Sequence, residues 1–217
     1  MIGLRNINKD DYPLVIEMDN EIYPSLVGVT VHSMSVWYER NPEFGLIFTD
    51  GQMITGALVC IPLKKTSWIS LTRGEISEAS LDHKDIFDIN RDSEIAIHIY
   101  HIVKLTKDIT HFARIALAEL NKRVRNLCAL KTSLRISGYS AYCATPQGLH
   151  LFSDTLAFRE SGGVSEEHIV RSLDGSVRIE IGTAETVMDK MATSDAYVCK
   201  CSMLALTLTD KSELWSL

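Results

Sequence analysis

The chain has 217 residues, enough for one domain with room for an elaboration, and at 46% hydrophobic and 23% charged it can bury an ordinary globular core. A net charge of −6 without a Lys/Arg block excludes a sequence-independent nucleic-acid surface, which needs a basic stripe. Five cysteines in no regular framework imply reduced thiols and a cytoplasmic setting, the start MIGLRNINKDDYP lacks the apolar core of a signal peptide, and the longest apolar run, ITGALVCIPL, is too short to span a bilayer.

Ile2–Ile7 predicts a first strand. Asp10, Asp11 and Pro13 then resemble a helix start, and Leu14, Ile16, Met18 and Ile22 carry that helix to about Tyr23, before Pro24 and Gly28. Val31–Arg40 is a second helix, with Met34, Trp37 and Tyr38 at helical spacing and Asn41-Pro42 as its stop. Phe44–Thr49 and Met53–Leu63 form a hairpin around Asp50-Gly51, and Gly56 marks a bulge or a close backbone approach. Trp68–Leu71 is read as an extension of the sheet. The acidic insertion at about 72–93 follows, with Glu75, Glu78, Asp82, Asp85, Asp88 and Asp92 leading to Glu94. Its plain reading is a solvated, mobile loop. Its sharper reading is a lid that attracts a cationic substrate.

The central block runs strand (SEIAIHIYHIV), polar loop (KLTKDITH), amphipathic helix (FARIALAELNKRVRNL), strand (SLRISGYSAYCAT) and a last short helix in PQGLHLFSDTLAFRESGG. A strand that feeds a helix N-terminus makes an anion site, because free N–H groups and the helix dipole face the loop. His168–Ser172 and Val177–Ile181 flank Asp174-Gly175 as a second hairpin, Ala184–Ala192 is a short helix, and Tyr197–Leu208 is a last strand. The result is an α/β (α+β) domain with a central mixed, mostly antiparallel sheet flanked by helices. Residues 1–182 form the main body and 183–217 a helix-and-strand extension of the same domain.

This order of elements resembles the GNAT superfamily of acetyl-CoA-dependent N-acetyltransferases. The resemblance covers about Gly3–Glu180, and its landmarks are the hairpin FGLIFTDGQMITGALVCIPL and the closing segment LFSDTLAFRE. The family's diphosphate loop carries Arg or Gln, then Gly, then Gly or Ala; those positions fall on Asp108, His111 and Ala113, of which only Ala113 fits. Its tyrosine acid falls on Ser153 or Phe152, and the asparagine near the helix start on Pro146. The resemblance implies acetyl-CoA as acyl donor. Main-chain groups of Ile102 and Val103 would hold the thioester and pantetheine. The loop Asp108, Ile109, Thr110, His111, Phe112 and Ala113 would face the diphosphate. It also implies an amine acceptor, a small molecule or a peptide, no nucleic-acid partner and no membrane.

Amine acetylation needs a base, and Glu94, His98 or His101 on the long strand are the catalytic candidates. Strict alternation places His98 and Tyr100 on one face and His101 on the other. The bland reading of these rings is half-buried sheet residues, and of Asp108 or Thr110 a helix N-cap. Cys199-x-Cys201 has no second ligand pair at zinc spacing, so no metal is expected. Ser137-Gly138-Tyr139-Ser140 lacks the flanking glycines of a nucleophile elbow, which excludes a serine hydrolase. The rival reading is a catalytically silent GNAT-like domain that binds a ligand or a protein. A third reading is a homodimer through the C-terminal strand.

Overall fold

The computed structural model describes residues 2–22, 29–106, 109–143, 145–161, 167–172, 177–181, 196–200 and 202–207. Strand β1 (Ile2–Asn6) is followed by a 3₁₀ turn whose capping box joins Asn8 and Asp11, and helix α1 (Tyr12–Ile22) grows out of it. Arg5 clamps Asp11 with two hydrogen bonds of 2.6 and 2.7 Å, so the start of α1 is tied to the strand before it. Helix α2 (Val31–Tyr38) is capped by Thr30, whose side chain accepts from the Ser33 N–H. Strands β2 (Gly45–Asp50) and β3 (Met53–Leu63) form the expected hairpin. Helix α3 (Lys65–Thr72) comes next, then β4 (Glu94–Lys104), α4 (Phe112–Leu130) and β5 (Arg135–Cys143). A short helix α5 (Pro146–Leu149) runs into a π-helical turn, His150–Thr155, before β6 (Arg159–Glu160).

The main sheet has seven strands in the order β1-β2-β3-β4-β5-β10-β6, where β10 is Ser202–Thr207. Every pairing is antiparallel except β4 with β5. A parallel pair needs a crossover, and α4 supplies it. From Thr55 onward β3 is buried at every position, as befits a central strand covered on both faces. Trp37, Phe44, Phe48, Phe87, Tyr139 and Phe158 are the bulkiest fully buried side chains.

Two expectations are corrected. Residues 65–72 are the helix α3 and not an extension of the sheet. The acidic insertion is anchored and not a solvated, mobile loop. Leu81, Ile86 and Phe87 are buried, and each stabilises by roughly 1.5–3 kcal/mol. Lys64 N–H donates to the Asp85 carbonyl at 2.9 Å, Phe87 N–H to Pro62 at 3.0 Å, and the Asn41 amide to Phe87 at 2.9 Å. Lys131 Nζ donates to the Ile89 and Asp92 carbonyls at 2.5 and 2.8 Å. The apolar side chains and the backbone tie the segment to β3 and to the end of α4, and of its acids Asp85 and Asp88 are buried with them.

The chain end differs as well. β7 (Glu167–Ser172) and β8 (Val177–Ile181) pair as a hairpin, but in a separate three-stranded sheet with β9 (Ala196–Lys200). The single last strand expected over Tyr197–Leu208 is two strands, β9 in the small sheet and β10 in the main one. β10 pairs with β5 along its whole length and with β6 at Leu204 and Ala205. The Asp174-Gly175 turn, the helix read over Ala184–Ala192 and Cys201 lie outside the described residues.

Candidate active site

β4 and β5 pair in parallel only from Glu94↔Arg135 to Ile99↔Ala141, yet β4 continues to Lys104. Beyond Ile99 the two strands part. A cavity of about 350 Å³ opens in that gap. Its walls are Ile99–Ile102 of β4, Ala141–Cys143 of β5, Gly148 of α5, Leu151 and Phe152, and Ala113 near the start of α4. Two carboxylates reach in, Asp19 from α1 and Glu78 from the insertion, and among the described residues no lysine or arginine lines it. The outer backbone edge of β4 past Ile99 has no strand beside it.

The β4 register breaks where the cavity begins. Val59 pairs with His101 and Cys60 with Ile99, so Tyr100 is an extra residue, a β-bulge. A bulge resets the alternation of side chains. Tyr100 Oη donates to Asp19 Oδ2 at 2.7 Å, and His101 Nδ1 lies 3.5 Å from Asp19 Oδ1. Both rings therefore converge on Asp19, which corrects the expectation that they face opposite ways. Burial pushes the Asp19 carboxyl up to about 6; the Tyr100 hydrogen bond opposes the shift and the Glu78 charge adds to it. Burial drives His101 down to about 4, with Glu78 opposing. Burial, and then the charges of Glu78 and Asp19, hold the Tyr100 phenol protonated far above its usual range. Near neutral pH the cluster is an ionised Asp19, a neutral imidazole and a neutral phenol.

His98 is completely buried. Its Nδ1 is 2.8 Å from Ser140 Oγ, and its Nε2 is 2.5 Å from Glu78 Oε1. Trp68 Nε1 donates to the same Ser140 Oγ at 2.9 Å. Glu94 is not among the cavity residues. It starts β4, one third exposed, and pairs with Lys65 at 3.0 Å.

Of the loop residues, Asp108 lies outside the described residues. Ile109 is buried, and its carbonyl accepts from Lys104 Nζ at 3.3 Å. Thr110 and His111 are exposed. His111, not Thr110, takes the N-cap of α4; its backbone is left-handed (φ 56, ψ 30) and its side chain makes no cap. The first helical bond runs from Ile115 N–H to the His111 carbonyl at 3.1 Å. The Phe112, Ala113 and Arg114 amides thus have no acceptor within the helix. Phe112 fixes this terminus: its ring stands edge-on to Phe48 at 5.0 Å and fills the space where a Cβ on Gly56 would sit. Ile102 lines the cavity, and Val103 pairs with Ala57.

The order of elements, together with a sheet split between β4 and β5, is the arrangement that the resemblance implies. The fold is GNAT-like. No family model and no curated protein matches this GNAT-like chain. Among solved structures it is similar to Arabidopsis thaliana Naa50 with the bisubstrate analogue CoA-Ac-MVNAL (11% identity, 95% of this chain and 99% of that one, TM-score 0.47). It is also similar to the Salmonella typhimurium acetyltransferase yncA with acetyl-CoA (12%, 100% and 99%, TM-score 0.46) and to mosquito arylalkylamine N-acetyltransferase like 5b (12%, 96% and 100%, TM-score 0.46). Likeness at this level leaves the functional argument to the site itself.

Sequence reasoning missed Asp19, Ser140 and Trp68. Asp19 had a signal: with Val15, Met18 and Ile22 it lies on the apolar stripe of α1, where a carboxylate is out of place. Ser140 and Trp68 had none, because their meeting depends on the tertiary fold. Among the described residues no cluster of His, Cys, Asp or Glu is placed to hold a metal ion, and no helix is long and apolar enough to cross a membrane.

Proposed function

We propose that this GNAT-like chain moves an acetyl group from acetyl-CoA to a primary amine by direct attack in a ternary complex. The observation that carries the reading is the cavity where β4 and β5 part, with an uncapped helix N-terminus on its rim and two carboxylates inside it. The chain's groups fit such a donor. The amides of Phe112, Ala113 and Arg114 suit a diphosphate, the unpaired edge of β4 around Ile102 and Val103 suits an amide-bearing pantetheine arm, and the apolar walls suit an acyl group. Acetyl-CoA, when bound, supplies the acyl group as an activated thioester. Asp19 and Glu78 would hold the acceptor as its ammonium, since two carboxylates in one cavity favour a cation. Neutral His101 stands beside them as a proton carrier. The overall change forms a C–N bond and breaks a C–S bond. One amine proton ends on the thiol and one is released. The buried free thiol of Cys60 supports a reducing compartment, the cytoplasm.

A second reading, a catalytically silent binding module, is favoured by one feature. The helix that carries the family's tyrosine acid presents Phe152 to the cavity, and the adjacent Ser153 hydroxyl donates to Asp154. Isothermal titration with acetyl-CoA decides between the readings' common ground and its absence. Micromolar binding that Ala113→Glu abolishes supports the α4 terminus as a diphosphate site and justifies a screen of amine acceptors. No binding up to millimolar acetyl-CoA overturns the acetyltransferase reading.

A further inference from the structure

We propose that Glu78 receives the proton of the acceptor's ammonium, and that Trp68, Ser140 and His98 are positioning residues that hold its carboxylate in the cavity. This rests on the acetyltransferase reading above. It assigns the base to the acidic insertion and not to the long strand.

The direction of the hydrogen bonds follows from one donor. An indole N–H can only donate, so Ser140 Oγ must accept from Trp68. Ser140 is completely buried, so its own proton has no water to go to. The neighbour that can take it is His98 Nδ1 at 2.8 Å. Nδ1 is then the acceptor, and the neutral imidazole carries its proton on Nε2, aimed at Glu78 Oε1 at 2.5 Å. The opposite tautomer would set the Nε2 lone pair against the carboxylate and leave the Ser140 proton without an acceptor. Indole, hydroxyl and imidazole thus form a one-way chain that ends on Glu78.

That chain occupies Oε1 and leaves Oε2 for the cavity, which Glu78 lines with its side chain 22% exposed. Glu78 opens a 3₁₀ turn (Glu78–Ser80) closed by the Ser77–Ser80 capping box, so its backbone is held as well. A carboxylate fixed at one oxygen and open at the other has the geometry a general base needs. The charged and titratable groups around it are Asp19 of α1 and His98, Tyr100 and His101 of β4. In the step, an N–H bond of the ammonium breaks, Glu78 becomes a carboxylic acid, and the freed lone pair is the nucleophile.

The first test is the nitrogen spectrum of ¹⁵N-histidine-labelled protein at pH 8, without ligand. His98 should carry its proton on Nε2, and Ser140→Ala should release it to a mixture of tautomers. The second test combines calorimetry with acetyl-CoA and transfer to the best of phenethylamine, spermidine and a peptide with uncharged side chains and a free N-terminus. Glu78→Gln should leave acetyl-CoA affinity unchanged and lower kcat on the order of 100-fold. An Nδ1–H tautomer in the unmutated protein, or a Glu78→Gln enzyme that keeps most of its kcat, overturns the proposal. Failure of the unmutated chain to bind acetyl-CoA overturns the acetyltransferase reading, and the base role of Glu78 with it. The spectrum needs no turnover, so the two failures are distinguishable.

Discussion

His111→Gly should stabilise the protein, an unusual outcome for a substitution to glycine at the start of a helix. His111 sits at φ 56, ψ 30, where a side chain crowds its own backbone, at roughly 1–2 kcal/mol for a non-glycine residue. Glycine removes that strain but gives the unfolded chain more freedom, which costs about 0.5–1 kcal/mol. The imidazole is exposed and caps nothing, so little else is lost. The net gain is about 0.5–1 kcal/mol, and at this chain length that is roughly 1–4 °C in Tm. Urea titration measures it, provided the slope m is unchanged and only the midpoint moves. His111→Ala keeps a Cβ in the left-handed region and should gain nothing. Acetyl-CoA affinity should rise in the glycine variant only, because the diphosphate can then approach the backbone. If glycine destabilises, or alanine does as well as glycine, strain at this residue is not what the substitution relieves.

Asp19→Asn tests the buried carboxylate by pH. Its carboxyl is raised to about 6, so the stability associated with the protonated form is full below the ordinary carboxylate range and is lost as pH rises through 6. Asparagine still accepts from Tyr100 but never ionises. It should stabilise by about 2–3 kcal/mol at pH 8 and by almost nothing at pH 4, read as the difference in urea midpoints. His101 has the opposite sign: its pKa falls to about 4, so its contribution is present above about pH 6.5 and is lost as pH falls through 4. His101→Gln should therefore flatten the acid side of the stability curve. Gly56→Ala places a Cβ 2.5 Å from the Phe112 ring and 2.7 Å from the Val103 carbonyl. It should cost about 1–3 kcal/mol and weaken acetyl-CoA binding, both measurable by denaturation and calorimetry. Glu94→Gln breaks a partly exposed pair with Lys65, so it should cost less than about 1 kcal/mol and leave acetyl transfer intact.

The hairpin around Asp50-Gly51, the two helices before it and the strand–helix–strand block were legible because each has local punctuation or a clear period. The meeting of Tyr100 and His101 on Asp19 was not, because one bulged residue reverses an alternation that the letters display without a break. The insertion misleads for a different reason. Its acidic residues dominate the composition, while three buried apolar residues and a few backbone hydrogen bonds decide its structure. Glu78 was visible as one acid among many. Only the fold sets it apart, by delivering a buried histidine to it from a strand distant in sequence.

The position of β10 has a consequence for biosynthesis. Among the described residues, β6 pairs only with β10, and β10 also covers the outer edge of β5. Gly138 marks how tightly this last piece fits, since a Cβ there would lie 2.5 Å from the Leu206 carbonyl and 2.6 Å from the Trp68 ring. A nascent chain that has produced everything up to residue 201 still has a gap in its main sheet and an unpaired edge beside the Ser140 strand. Completion of the sheet therefore waits for residues 202–207, and a chain cut before them would leave a sticky strand edge.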